Sequence, residues 1–147
     1  MPNHEDQILE ARLFEHIKED HPDLFDRIEC EEQVINEETK NLFAFSGDND
    51  RRLTFSVWDK GLSYQFLDYH SGISLFPHPE KGFEAFIEMV RDIMGDQKVV
   101  VTWSFDEPDA FAEIVPCGEE SSYDFLWEDA KKVSISSWSG KLDRALK

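Results

Sequence analysis

The chain has 147 residues, and 40% of them are hydrophobic, including 12 Phe and 4 Trp. It is therefore long and apolar enough to bury a core without disulfides or metal, and its composition argues against disorder. Its 32 acidic and 15 basic residues give a net charge of −17, which repels nucleic-acid phosphates and anionic lipid and attracts basic proteins.

Features of membrane and secreted proteins are missing. There is no run of 18 apolar residues to span a membrane. The first residues lack the basic and apolar regions of a secretory signal. Cys30 and Cys117 lie far apart in sequence, and two reduced thiols are expected rather than a disulfide. The sequence predicts a cytoplasmic protein with one domain, residues 1–147, that is a monomer or a weak homodimer.

The acidic residues concentrate in two segments. Residues 1–38 carry a net charge of −10, and residues 106–129 carry −9 with no Lys or Arg among them. Residues 130–147, by contrast, carry +4. Plain solubility explains such acidity as well as a binding surface for a basic protein does.

The residue pattern of the N-terminal segment predicts two helices. Leu9, Leu13 and Ile17 recur at i, i+4 and i+8, which is typical of one buried helix face. Pro22 suits the first turn of a second helix, with Ile28 on its apolar side.

The middle of the chain predicts an antiparallel meander. Apolar and polar residues alternate in 53–58 and 62–67, and short turns rich in Gly, Asp and Asn separate the segments. Strands are also expected at 41–46 and 73–76.

The remaining elements alternate between helix and strand. A helix with a strong apolar stripe runs from about Pro79 to Gly95, and an apolar strand follows at 99–103. Residues 106–120 look like a loop with brief pairing at 112–115. A third helix is expected at 121–132 and a last strand at 133–138.

This order predicts an α+β fold, with a mainly antiparallel sheet and helices packed on one face. The residues expected to be buried in its core are Leu9, Leu13, Phe55, Phe86, Val90, Val99, Val101 and Ile135.

Sequence motifs typical of catalysis are missing. No Gly-Lys-Ser/Thr, Cys-x-x-Cys or His-Glu-x-x-His occurs, and Ser139 lacks the first glycine of a nucleophile elbow. Asp48-x-Asp50 begins like a calcium loop, but Arg52 and Leu53 stand where that loop needs a ligand and a glycine. Adjacent glutamates are expected to be solvated. We predict no catalytic residue and no cofactor.

Two pairs of histidines were considered as sites. His16 and His21 are five residues apart, a spacing that turns them away from each other on a helix, so no metal site is predicted. His70 and His78 flank a short strand, where one of them would need a nearby carboxylate to act as a general base. Surface histidines are the expected alternative.

The acidic segment 106–129 supplies the candidate binding residues. Trp127 stands among acids, and an exposed Trp ringed by carboxylates would anchor a basic partner, although an aromatic residue of this kind is more often buried in the core. The candidate partner-binding residues are Asp106, Glu107, Asp109, Glu119, Glu120 and Trp127.

In profile the chain resembles the small acidic immunity proteins that neutralise bacterial polymorphic or contact-dependent toxins. The resemblance rests on size, acidity, element order and a closing strand and turn, Val133-Ser-Ile-Ser-Ser-Trp-Ser-Gly-Lys-Leu-Asp-Arg144. It implies an inhibitor of a basic, nuclease-type toxin, but it carries over no functional residue. Two alternatives stay open: a small enzyme or ligand-binding protein with a pocket near His70 or His78, and a regulatory or structural subunit.

Overall fold

A computed structural model describes residues 4–35, 37–47, 49–106 and 110–147, except for the side chains of Ile35, Glu38 and Lys40. The sequence predicts one domain, and the contacts between residues divide the chain into two compact units. Unit 1 contains the described residues of 1–46, 52–66 and 70–88, and unit 2 contains those of 47–51, 67–69 and 89–147.

The predicted α+β class is confirmed, although the strands form two antiparallel sheets rather than one. The helices are α1 (His4–Asp20), α2 (Pro22–Phe25), α3 (Pro79–Met94) and a 3₁₀ helix (Glu120–Leu126). The first sheet has the order β1-β2-β3-β4-β5, from β1 (Ile28–Ile35), β2 (Glu38–Ser46), β3 (Arg52–Trp58), β4 (Gly61–Phe66) and β5 (Tyr69–Ser74). The second has the order β7-β6-β8-β9, from β6 (Lys98–Ser104), β7 (Ala110–Pro116), β8 (Lys132–Ser136) and β9 (Arg144–Ala145).

An aromatic core holds unit 1 together. Phe43 and Phe55 are register partners on β2 and β3, and both are buried. The ring of Phe86 on α3 lies 4.9 Å from that of Phe55, centroid to centroid. On α1, Leu13 is fully buried and the ring of Phe14 meets that of Phe43 at 4.5 Å. The apolar stripes of both helices thus pack on the sheet, as their spacing predicts.

The predicted second helix is largely wrong. Only Pro22–Phe25 is helical, and residues 28–35 form β1, which pairs with β2 from Ile28↔Phe45 to Ile35↔Glu38. The strand lies at a sheet edge and its described side chains are mostly exposed. Glu31 of β1 forms an ion pair with Arg52, with 2.6 Å between Nη2 and Oε1. Because the side chains of β1 are mostly exposed, its sequence lacks the alternation of apolar and polar residues from which a strand is predicted.

A buried carboxylate fixes the turn between β3 and β4. Asp6, near the start of α1, is 3% exposed. Its two oxygens accept hydrogen bonds from the backbone N–H groups of Asp59 (3.0 Å) and Lys60 (2.9 Å). Both turn residues have positive φ, 50° and 57°, as a tight hairpin turn with two left-handed residues requires.

A smaller apolar cluster forms the core of unit 2. Its buried members come from β6, β7, β8 and the segment before β8, and they are Val99, Val101, Val115, Trp127, Ala130, Val133 and Ile135. Seven of the eight residues expected in the core are buried, while Leu9 is half-buried.

The predicted third helix is also corrected. It is a 3₁₀ helix that ends at Leu126 rather than an α-helix reaching Lys132. In a 3₁₀ helix, side chains three apart lie on the same side. Tyr123 and Leu126 accordingly pack against the unit 2 core, and Phe125, which the sequence predicts to be buried, is 68% exposed.

Both cysteines are exposed and free, as expected. None of the helices in the described ranges is long and apolar enough to cross a membrane.

Candidate functional site

The structure places the candidate acidic residues at separate points of unit 2. Asp106 lies two residues after the end of β6, and its side chain is 77% exposed. Glu119 precedes the 3₁₀ helix and is exposed, and Glu120 begins it and is half-buried. Glu107 and Asp109 lie outside the described residues.

Trp127 is not the exposed anchor that its acidic neighbours suggested. It is 4% exposed and belongs to the unit 2 core, where its ring centroid lies 5.6 Å from that of Trp103. Burial excludes a direct contact with a partner, so this candidate is corrected. Its role is to support the half-buried Trp103 from below the surface.

Two other aromatic residues of unit 2 are exposed. Phe105 and Phe111 are 41% and 50% exposed, and their rings meet edge to face with centroids 6.0 Å apart. Phe111 is the register partner of Trp103 and stacks on it, also at 6.0 Å. We call Phe105 and Phe111 the aromatic pair. It rests on Trp103 and, through it, on the buried Trp127.

Sequence reasoning missed the aromatic pair, although a signal was present. The five residues between the two Phe are Asp-Glu-Pro-Asp-Ala, which include three acids. A strand end, an acidic Pro-containing link and a returning strand together indicate a hairpin. Such a hairpin brings its flanking aromatics together.

Basic residues from the C-terminal segment offset part of the acidic charge. Lys131 forms an ion pair with Asp106, and its backbone N–H donates to the carbonyl of Ser104. The ammonium of Lys147 donates to three carbonyls near the 3₁₀ helix, including that of Glu128 at 2.7 Å. The acidic surface of unit 2 is therefore less negative than the segment 106–129 is on its own.

A shallow cavity of about 390 Å³ lies beside His70 in unit 1. Its polar lining residues are Thr54, Ser56, Ser63, Gln65, His70 and Ser71. No Asp or Glu lines it in the described part of the chain, and His78 does not line it either. The cavity thus gives His70 no carboxylate partner for general-base catalysis.

His16 and His21, which the spacing argument separated, lie close together. α1 ends at Asp20, and His21 has φ −139° and ψ 57°, so helical geometry does not extend to it. The two rings lie 5.9 Å apart, centroid to centroid. Glu84 of α3 joins them, with its Oε1 2.8 Å from His16 Nε2 and 3.2 Å from His21 Nε2.

The contacts of Glu84 affect its protonation. The hydrogen bond with His21 is the largest cause that lowers the pKa of the Glu84 carboxyl below its ordinary value; desolvation opposes it, and the hydrogen bond with His16 adds to the lowering. Glu84 is therefore an anion at neutral pH. Its 63- and 68-residue separations from the histidines leave no local sequence signal for this cluster.

Asp48, from the calcium-like pattern, lies outside the described residues. Nearby, the N–H of Gly47 donates to the carbonyl of Arg51 at 2.7 Å, as in a closed turn. Arg51 itself binds a carboxylate, that of Asp143.

The fold and surface define a small acidic α+β protein with an exposed aromatic pair in its second unit. Comparison with protein-family models, curated proteins and solved structures found no match to this chain. The resemblance to immunity proteins therefore stays a prediction.

Proposed function

We propose that this chain is a protein-binding module that captures a basic partner protein through the aromatic pair and the acidic residues around it. In keeping with the resemblance to immunity proteins, the partner would be a nuclease-type toxin domain. Binding would inhibit it by covering its cationic substrate groove. The chain itself would not be an enzyme.

The aromatic pair is the observation that carries this proposal. Two exposed Phe rings in mutual contact form an apolar spot, and the strand pairing of Trp103 with Phe111 holds its base in place. Burying one such side chain contributes roughly 1.5–3 kcal/mol. Large, preorganised aromatic residues are typical of the few positions that dominate binding energy.

The charge around the pair supports a basic partner in particular. Three acids separate Phe105 from Phe111 in sequence, and the segment 106–129 carries a net charge of −9. Complementary charge mainly accelerates encounter and excludes wrong partners, while buried aromatic contacts slow dissociation. The ion pair of Asp106 with Lys131 is exposed and contributes at most about 1 kcal/mol, so a partner's basic side chain can replace Lys131 at little cost.

Affinity capture with matched variants tests the proposal. Immobilised wild-type chain is compared with the double variant Phe105→Ser/Phe111→Ser, using lysate of the native host and quantitative mass spectrometry. Phe76→Ser is the control, because Phe76 is 71% exposed but belongs to unit 1.

We expect one basic protein to be enriched by the wild type and by the control, and lost with the double variant. The purified partner should then bind the double variant at least about 100-fold more weakly, as for the loss of about 3 kcal/mol at a binding hot spot. Equal capture by all three proteins, or enrichment of no basic protein, would contradict the proposal.

A further inference from the structure

The cluster of His16, His21 and Glu84 is independent of the aromatic pair and lies in unit 1. Its three side chains come from α1, from the residue that links α1 to α2, and from α3. One ligand atom of each lies within 4.8 Å of the others. The two histidine side chains are only 16% and 17% exposed, whereas that of Glu84 is 53% exposed.

We propose that this cluster binds one Zn²⁺ ion through Nε2 of His16, Nε2 of His21 and the carboxylate of Glu84. A water molecule on the exposed side of Glu84 completes the tetrahedron. Two histidines, one carboxylate and one water form a known zinc ligand set.

Both histidines direct a ring nitrogen toward the carboxylate of Glu84. Both imidazole Nε2 atoms face the same carboxylate oxygen, at 2.8 and 3.2 Å. A neutral imidazole carries only one N–H, and Nδ1 of His16 faces Oδ2 of Asp20 at 3.5 Å. In the tautomer whose N–H points to Asp20, His16 gives up its hydrogen bond to Glu84, and its Nε2 lone pair is free to bind a cation held between the two side chains.

The distances from Glu84 Oε1 to the two imidazole nitrogens are close to those between ligand atoms of a zinc site. Zn²⁺ binds nitrogen and oxygen at about 2.0–2.2 Å, so tetrahedral ligand atoms lie about 3.3 Å apart. The existing contacts of 2.8 and 3.2 Å are within a few tenths of an ångström of that value. Side-chain rotations would bring the three ligand atoms, which all lie within 4.8 Å of one another, to this separation.

The groups around the ligands also support a metal site. Asp20 contacts the other ring nitrogen of His16, as outer carboxylates do to orient metal-binding histidines. The ring of Phe83 lies 5.7 Å from that of His16 and limits its movement. Arg12 of α1 pairs with Glu80 rather than with Glu84, and the ammonium of Lys18 lies over the ring of Phe25. Glu84 thus keeps its negative charge for a metal.

The ligand types select the metal. Imidazole nitrogen favours Zn²⁺ and related transition metals, whereas Mg²⁺ and Ca²⁺ favour oxygen ligands. Zn²⁺ is accordingly the probe, and Mg²⁺ is the negative control.

Isothermal titration calorimetry of the full chain with Zn²⁺ tests the site. The measurement uses the background Cys30→Ser/Cys117→Ser, because both cysteines are free and exposed, and thiolates are zinc ligands that would compete with the cluster. The ligand variants are His16→Gln, His21→Gln and Glu84→Gln, and Asp20→Asn tests the outer carboxylate. The matched control is His70→Gln, which removes an exposed histidine outside the cluster.

We expect one equivalent of Zn²⁺ to bind the background protein and the His70→Gln control alike, with no binding of Mg²⁺. Each ligand variant should lose more than 10-fold in affinity, and Asp20→Asn about 10-fold, since outer partners typically contribute 10- to 100-fold. Imidazole ¹⁵N spectra should show the Nε2 resonances of His16 and His21 shifting together with zinc.

Two results would overturn the assignment. One is the absence of saturable Zn²⁺ binding to the background protein. The other is a Zn²⁺ affinity that is unchanged in the three ligand variants, or that falls as much in His70→Gln as in those variants. Circular dichroism of each variant confirms that it is folded before it is titrated.

Discussion

The guanidinium of Arg51 faces the carboxylate of Asp143 through two parallel hydrogen bonds, and the Nη1–Oδ1 contact is 2.9 Å long. Arg51 also donates to the carbonyl of Ser137, and Asp143 accepts from the backbone N–H of Ser137 at 2.8 Å. The paired side chains therefore tie residues 47–51 to the turn that follows β8. Asp143 belongs to the closing strand and turn on which the resemblance to immunity proteins rests, and its contacts give that stretch a structural role.

The Arg51–Asp143 pair predicts a pH-dependent contribution to stability. The hydrogen bond from Arg51 lowers the pKa of Asp143 below its ordinary value, which is about 3.9 for an unfolded chain. A carboxyl whose pKa is lower when folded stabilises the protein above that ordinary value, and the contribution is lost as pH falls through the folded pKa.

Asp143→Asn should therefore be less stable than wild type at pH 7, and the difference should shrink below about pH 4. Urea unfolding at pH 7, 5, 4 and 3 measures it. Asp129→Asn, an exposed acid of the same unit, is the control and should match wild type throughout. A stability difference that persists unchanged at pH 3 would rule out the ion pair as its source.

The contact of Asp6 with the β3–β4 turn predicts that mutation of Asp6 clearly lowers the free energy of unfolding. Asp6→Ala leaves two turn N–H groups, those of Asp59 and Lys60, without this acceptor. Both hydrogen bonds are part-buried, and a hydrogen bond to a charged group contributes about 1.5–3 kcal/mol. We expect a loss of at least about 2 kcal/mol in the free energy of unfolding, measured by urea denaturation.

Glu5→Gln is the control for Asp6. Glu5 lies in the same helical turn, is exposed and pairs with Lys60 at 3.4 Å. Its replacement should change stability by less than about 0.5 kcal/mol. If both substitutions have the same small effect, the acceptor role of Asp6 is wrong.

Replacing Gly82 by Ala should lower the stability of the protein, although Ala has the higher helix propensity. Ala exceeds Gly by about 1 kcal/mol in a helix interior. However, a Cβ at position 82 would lie 2.7 Å from Cδ2 of the buried Leu75 and 3.0 Å from the carbonyl oxygen of Ser74. Overpacking of this kind costs about 1–3 kcal/mol.

We therefore expect Gly82→Ala to lower the melting temperature, whereas Lys81→Ala, at the exposed neighbouring position, should leave it nearly unchanged. Differential scanning calorimetry measures both. A higher melting temperature for Gly82→Ala would contradict the close approach of α3 to Leu75.

Periodic patterns in the sequence revealed the elements that bury a continuous face. The apolar stripe of α3 and the alternation in β3 predict Phe86 and Phe55 in the core, and both are buried. β1 was missed because an exposed edge strand needs no apolar face, so its pairing with β2 left no periodic signal.

The candidate sites depend on relationships that spacing rules do not capture. The helical rule separated His16 from His21, but the helix ends between them. Trp127, which its acidic neighbours suggested as an exposed anchor, lies in the core beneath Trp103, whereas Phe105 and Phe111 are exposed. In both cases the deciding contacts come from other elements of the same unit.

In the proposed function, the acidic residues that separate Phe105 from Phe111 in sequence guide a basic partner. The variant Asp106→Asn/Glu107→Gln/Asp109→Asn removes three charges there. The control Glu15→Gln/Glu19→Gln/Glu88→Gln removes three from exposed positions of unit 1. The acidic sequence of residues 106–109 is typical of a solvated loop, and solvated sites tolerate such changes within about 0.5 kcal/mol each, so we expect both proteins to melt close to the wild-type temperature.

Surface plasmon resonance with the partner identified by affinity capture, at low and physiological salt, is the most direct measurement. We predict that the first variant associates more slowly at low salt and with a flatter salt dependence, because complementary charge acts mainly on the association rate and is screened by ions. The control should change much less. An association rate and salt slope equal to those of wild type, or an equal loss in both variants, would contradict the proposed binding surface.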